Sequence, residues 1–180
     1  GTGAKQPLVT AVLALCEEGD EVIIPTPCWV SYIEMVKLSG ATPVLVQNRE
    51  EDGFALNVEG IKKAITPKTK AIMINTPNNP TGAVYTKEQL TELAELACKH
   101  DFYIISDEVS EKLIYEGKKH FCVASISEEV KERTVVINGV SKAYSMTGWR
   151  VGYAAGNAAL IKGMTSLQGH TTCNACSIAQ

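Results

Sequence analysis

"AIMINTPNNPTGAVYTKEQLTELAELACK", residues 71–99, holds one complete structural unit. Ala71–Ile74 is apolar at every position, the pattern of a strand covered on both faces rather than one. The next eight residues, "NTPNNPTG" (Asn75–Gly82), carry two prolines and a glycine and can extend neither strand nor helix, so they form an irregular exit. Thr86 and Gln89 then stand three apart as a capping box, and Leu90, Leu93, Ala94 and Ala97 line one face of the helix that follows, to Lys99. A buried strand, a turn and an amphipathic helix in succession is the unit of layered α/β domains.

The same alternation extends outward. Further β-branched runs occur at Val22–Ile24, Thr42–Val46, Phe102–Ser106, Thr134–Ile137 and Val151–Ala155, with helical segments between them. They predict an α/β fold with a mostly parallel sheet, each strand buried on both faces. At 180 residues and 45% hydrophobic content the chain can build one sizeable core, and no repeat or linker divides it. The net charge of −3 and the lack of any Lys/Arg cluster give no electrostatic case for nucleic acid or an anionic membrane. No apolar run reaches membrane-spanning length and no leader opens the chain, so the expected setting is cytoplasmic. Cys16, Cys28 and Cys98 sit singly in apolar surroundings. Cys173 and Cys176 form one C-x-x-C without a second pair or paired histidines, so reduced thiols are expected and no metal site.

The opening "GTGAKQPLVTAVLAL", residues 1–15, is a glycine loop leading into a helix that begins near Ala4 or Lys5. Unpaired N–H groups at such a helix start favour an anion, above all a phosphate. Neither familiar nucleotide loop fits, because Gln6 stands where a third glycine or the residue after Gly-Lys would be needed. In parallel sheets function collects where strands end. The exits here are "NTPNNPTG", "DE" at Asp107–Glu108 and "NGVSKAYSMTGWR" at residues 138–150. An asparagine, an acid, a lysine and a phosphate loop at one sheet edge suit pyridoxal 5′-phosphate. The lysine forms a Schiff base, the carboxylate keeps the ring nitrogen protonated, and the loop anchors the phosphate.

The segments "TGAKQ", "PTPCWVSY", "NTPNNPTG", "SDE" and "SKAYSMTGWRVG" together resemble the class I aminotransferases of fold type I, most closely the bacterial aspartate aminotransferase branch. The resemblance covers essentially the whole chain. It implies the large-domain fold of that family, helices on both faces of a sheet ordered 2-1-3-4-5-6, with the last strand antiparallel and the edge beyond it bare or covered by another copy. It implies cis peptides at Thr26–Pro27 and Asn79–Pro80. Lys142 is then the Schiff-base lysine and proton shuttle, and Asp107 the partner of the pyridine nitrogen. Asn79 is placed for the cofactor's 3-oxygen and the substrate carboxylate, and Trp29 for stacking on the ring and contact with substrate. Arg150 and Ser141 are placed at the phosphate, with Gly3, Ala4 and Lys5 supplying the loop. The implied substrates are an amino acid and a 2-oxo acid, and the implied full-length assembly is a homodimer.

Three departures accompany the match. Ser110 stands where the family usually has a tyrosine that donates to the cofactor's 3-oxygen, and losing that donor raises the Schiff-base pKa. Gly139 lacks a hydroxyl that many relatives use on the phosphate. The third is length: residues 1–180 read as the core of the large cofactor-binding domain, with the N-terminal arm, first strand and C-terminal small domain absent and little turnover expected of this core alone. Two alternatives stay open, a truncated non-catalytic binding module and a related enzyme such as a carbon–sulfur lyase.

Overall fold

The computed structural model describes residues 1–180. Twelve regular elements follow one another: α1 (Lys5–Leu15), β1 (Glu21–Thr26), α2 (Ser31–Leu38), β2 (Thr42–Gln47), α3 (Val58–Ala64), β3 (Thr69–Asn75), α4 (Lys87–His100), β4 (Tyr103–Asp107), α5 (Glu128–Glu132), β5 (Thr134–Gly139), β6 (Gly152–Ala155) and α6 (Ala158–Thr171). The six strands form one sheet in the order β2-β1-β3-β4-β5-β6. β1 to β5 are parallel, and β6 pairs antiparallel with β5. This is the architecture and order expected.

Strand alternation divides the interior in two rather than making the single core expected from length. Val22, Ile24, Ala71, Met73 and Ile105 face α1, α2 and α6. Ile23, Ile72, Ile74 and Ile104 face α3, α4 and α5. Because successive side chains point to opposite faces, a strand with helices on both sides must be apolar throughout. That explains the continuous runs at β1, β3 and β4. It fails for β2 and β6: Leu45 and Tyr153 are about half exposed, since both strands lie at the ends of the sheet where the helical layers stop short.

The α4 capping box forms as anticipated, with the Thr86 side chain on the Gln89 N–H and the Gln89 side chain on the Thr86 N–H. The outer edge of β6 is partly taken. Gly1 and Gly152 exchange hydrogen bonds, and Thr2 bridges Val151, while Tyr153–Ala155 pair only with β5. The peptides Thr26–Pro27 and Asn79–Pro80 are cis, as is Thr76–Pro77. None of the six cysteines is paired.

Candidate functional site

The carboxyl ends of β1, β3, β4 and β5 open onto one cavity of about 320 Å³, closed on the far side by the start of α1 and the turn before β6. Nine of the ten residues singled out in the sequence line it: Ala4, Lys5, Trp29, Asn79, Asp107, Ser110, Ser141, Lys142 and Arg150. The tenth, Gly3, lies behind Arg150. Residues scattered over 150 positions converge because parallel strands deliver every exit to the same edge.

Asp107 is the last residue of β4 and is 3% exposed. Its carboxylate accepts from the Tyr32 hydroxyl at 2.6 Å and from the Val109 N–H at 3.1 Å, and no cation pairs with it. Burial pushes its pKa up, and the two hydrogen bonds pull against that shift. A buried carboxylate facing a cavity without a counter-charge is a seat for a cationic group from outside. Tyr32 was not assigned a role from sequence, although it falls one helical turn after Trp29 and the two rings meet edge-on at 5.5 Å. Burial and the neighbouring carboxylate raise the Tyr32 pKa well above the usual phenol value, so it remains a donor.

The exit of β3 is held by Asn75, also unassigned from sequence. Its side-chain NH₂ donates to the Asp107 carbonyl at 3.0 Å and its Oδ1 accepts from the Asn79 N–H at 2.7 Å. One buried amide therefore fixes Asn79 relative to Asp107. Lys142 follows β5 on a tight turn, two residues past Val140, and its side chain is exposed toward the cavity.

The opposite end of the cavity is built for an anion. α1 has no side-chain cap and no acidic residue in its first turn, so the N–H groups of Ala4, Lys5 and Gln6 have no partner within the protein. Pro7, with no N–H to satisfy, suits that first turn. Arg150, at φ 53°, donates to the Thr147 carbonyl at 2.8 Å and lays its guanidinium across Gly3. A Cβ on Gly3 would sit 2.0 Å from the Arg150 Nη2, and φ of +77° there already favours glycine. Gly152 has the same character, since its Cβ would lie 2.3 Å from the Gly3 carbonyl carbon. These two glycines let α1 press its N-terminus against β6. Gly139 is explained likewise, because a side chain would meet the Val151 carbonyl oxygen at 2.8 Å.

Lys5 lines the cavity with its side chain as well as its backbone, the ammonium standing 4.6 Å from the centre of the Trp29 ring. Uncommitted first-turn N–H groups with an arginine, a lysine and an uncompensated carboxylate, all on one cavity, match the three polar parts of pyridoxal 5′-phosphate. The donor set present fits that group.

A family profile described as aminotransferase class I and II matches residues 1–180. The chain is 57% identical over 179 residues to an aspartate aminotransferase of Bacillus subtilis, covering 99% of this chain and 46% of that protein. It is 56% identical over 178 residues to that of Geobacillus stearothermophilus, at 99% and 45% coverage. Among solved structures, aspartate aminotransferase from Thermus thermophilus with maleate superposes with a TM-score of 0.95 at 48% identity, over 99% of this chain and 46% of that one. The chain thus spans about half the length of the curated relatives it matches.

Proposed function

The chain belongs to the class I and II aminotransferase family, and from that premise we propose that it is the core of the large cofactor-binding domain of a pyridoxal-5′-phosphate-dependent enzyme moving an amino group between an amino acid and a 2-oxo acid. The observation that carries the proposal is the buried, uncompensated Asp107 in the same cavity as Lys142 and the α1–Arg150 anion cradle. When bound, the cofactor supplies an aldehyde that condenses with amines and a protonated ring that accepts electrons.

The protein's own residues do the rest. Asp107, oriented by the Tyr32 hydroxyl and the Val109 N–H, holds the proton on the ring nitrogen. Asn79 donates to the cofactor's 3-oxygen, and Trp29 offers its ring as a stacking face. The free N–H groups of α1 and the Arg150 guanidinium bind the phosphate, with Ser141 beside them. The Lys142 Nζ is the attachment point and, once displaced by the substrate amine, the base that takes the proton from substrate Cα and returns it at C4′.

With Lys142 and Arg150 committed to the cofactor, Lys5 is the remaining cation on the cavity wall. A spare ammonium suits a second carboxylate, which agrees with the relatives named for aspartate and with the relative solved with maleate, a dicarboxylate. Aspartate is therefore the proposed amino donor. We also infer a homodimer in the full-length protein, for which the exposed Val30, just before α2, and Leu38, at its end, are apolar surface available for contact. A cytoplasmic location is proposed, and no helix is long and apolar enough to cross a membrane.

Adding pyridoxal 5′-phosphate to the purified full-length protein should give a yellow species that borohydride fixes covalently to the chain, with the label on Lys142. Lys142→Ala should remove both the label and the transfer of aspartate's amino group to a 2-oxo acid. Colour and label without transfer would favour a non-catalytic module, and neither in a folded protein would sink the cofactor assignment altogether.

A further inference from the structure

Just past the end of β4, next to Asp107, a second buried carboxylate is tied up quite differently. Glu108 is 2% exposed. Its N–H donates to the Ile137 carbonyl, its Oε1 accepts from the Ser106 hydroxyl at 3.0 Å, and its Oε2 lies 2.7 Å from His120 Nε2. Residues 109–119 leave the sheet between these partners and return, with Lys112, Leu113 and Tyr115–Lys119 all exposed. Such a loop has little burial of its own to hold it. The Glu108–His120 contact joins the two ends of its base, with Glu111 Oε2 4.0 Å from the same ring nitrogen. The loop begins with the two residues that face the cavity, Val109 and Ser110, and the Val109 N–H is one of the two donors on Asp107.

We propose that His120 is a positioning residue for the cofactor site: by closing the 109–119 loop onto Glu108, it fixes the Val109 N–H against Asp107 and the Ser110 hydroxyl in the cavity wall. The inference rests on the cofactor function proposed above. Glu108, Glu111 and His120 also have the spacing of a cation site, their ligand atoms lying within 4.8 Å of one another. The hydrogen-bonded arrangement fits better. His120 Nδ1 is buried with no partner, an unpaired lone pair when Nε2–H donates to Glu108. A metal on Nε2 would turn Nδ1 into an unpaired buried N–H, whereas histidine ligands ordinarily donate that proton to a second group.

The test compares His120→Leu, His120→Gln and His120→Asn in the full-length protein. Glutamine places an amide donor where Nε2 stands, and asparagine is too short to reach Glu108. Without cofactor, amide hydrogen exchange at residues 109–113 should quicken by about 10-fold in the leucine and asparagine variants and stay near wild type in the glutamine variant. The cofactor dissociation constant should rise about 3- to 10-fold in the first two, the effect of one lost hydrogen bond, and return to within about 2-fold with glutamine. Should His120→Leu fail to fold, the glutamine–asparagine pair alone makes the comparison. Unchanged exchange, or faster exchange with unchanged cofactor affinity, overturns the proposal, as does an equal loss in the glutamine variant. A wild-type protein that takes up no cofactor would instead overturn the function on which the proposal rests.

Discussion

Asp107 is where stability and function pull apart. Its raised pKa means that the fold prefers the neutral acid, so its favourable contribution is present at low pH. That contribution is lost as pH rises from the unfolded value through the raised folded one. Ionising Asp107 therefore costs the cofactor-free fold stability. Asp107→Asn should leave the thermal midpoint of the cofactor-free protein unchanged or raised at pH 7, with the gain disappearing under acid, while cofactor affinity falls roughly 10- to 100-fold through loss of a charge-assisted hydrogen bond. A variant that melts earlier at neutral pH would contradict this account. Ser110 offers the complementary test. Restoring the family's phenol with Ser110→Tyr should lower the pH midpoint of the bound cofactor's visible absorption by about 1 to 2 pH units, since one donor to an anionic oxygen is worth that much. Lys142 and Asp107 stood out in the sequence as a lysine and an acid at strand exits, and Arg150 through the family resemblance; the structure brings all three to one cavity. Tyr32 and Asn75 did not stand out, because hydroxyls and amides that act by holding another residue look like ordinary polar positions until their partners are known.

At the scale of elements, the decisive contact is the end of α1 against β6. Two glycines make it possible, Gly3 under the Arg150 guanidinium and Gly152 under the Gly3–Ala4 peptide. Gly152→Ala should push the start of α1 off the sheet. The expected cost is about 1–3 kcal/mol in stability, read by denaturant unfolding, because the clash is with backbone rather than a side chain that can swing away. Affinity for the phosphate end should fall with it, whereas alanine at Gly163, inside α6 with nothing within 4 Å, should leave affinity unaffected and raise stability by about 0.5–1 kcal/mol. If the two variants bind cofactor alike, the anion cradle does not depend on the helix position. The elements themselves were readable: the strand runs and the Thr86–Gln89 cap state local preferences that the packing leaves intact. The burial of β2 and β6 was not, since an apolar run records what a strand tolerates while its place at the sheet's end decides what covers it.

Across the whole molecule, the site is a seam. Trp29 follows β1, Asn79 follows β3, Asp107 ends β4, Lys142 follows β5 and Arg150 precedes β6, with the start of α1 behind it. One ligand touching all of these would cross-link four strand exits and the helix that closes the layer, and anything that binds only the folded state stabilises it by mass action. At a free concentration of 100 times its dissociation constant, pyridoxal 5′-phosphate should add about 2.7 kcal/mol. For a chain of this size that corresponds to roughly 5–10 °C in the thermal midpoint. Inorganic phosphate engages only the cradle at α1 and Arg150 and should give a smaller shift at the same free concentration. The protein's net charge of −3 offers no general attraction for anions, so both effects depend on the local cations Lys5, Lys142 and Arg150 and should weaken as salt is raised. Equal shifts from phosphate and cofactor, measured side by side at low salt, would mean that the cradle alone is occupied and that the seam from Trp29 to Lys142 is not bridged.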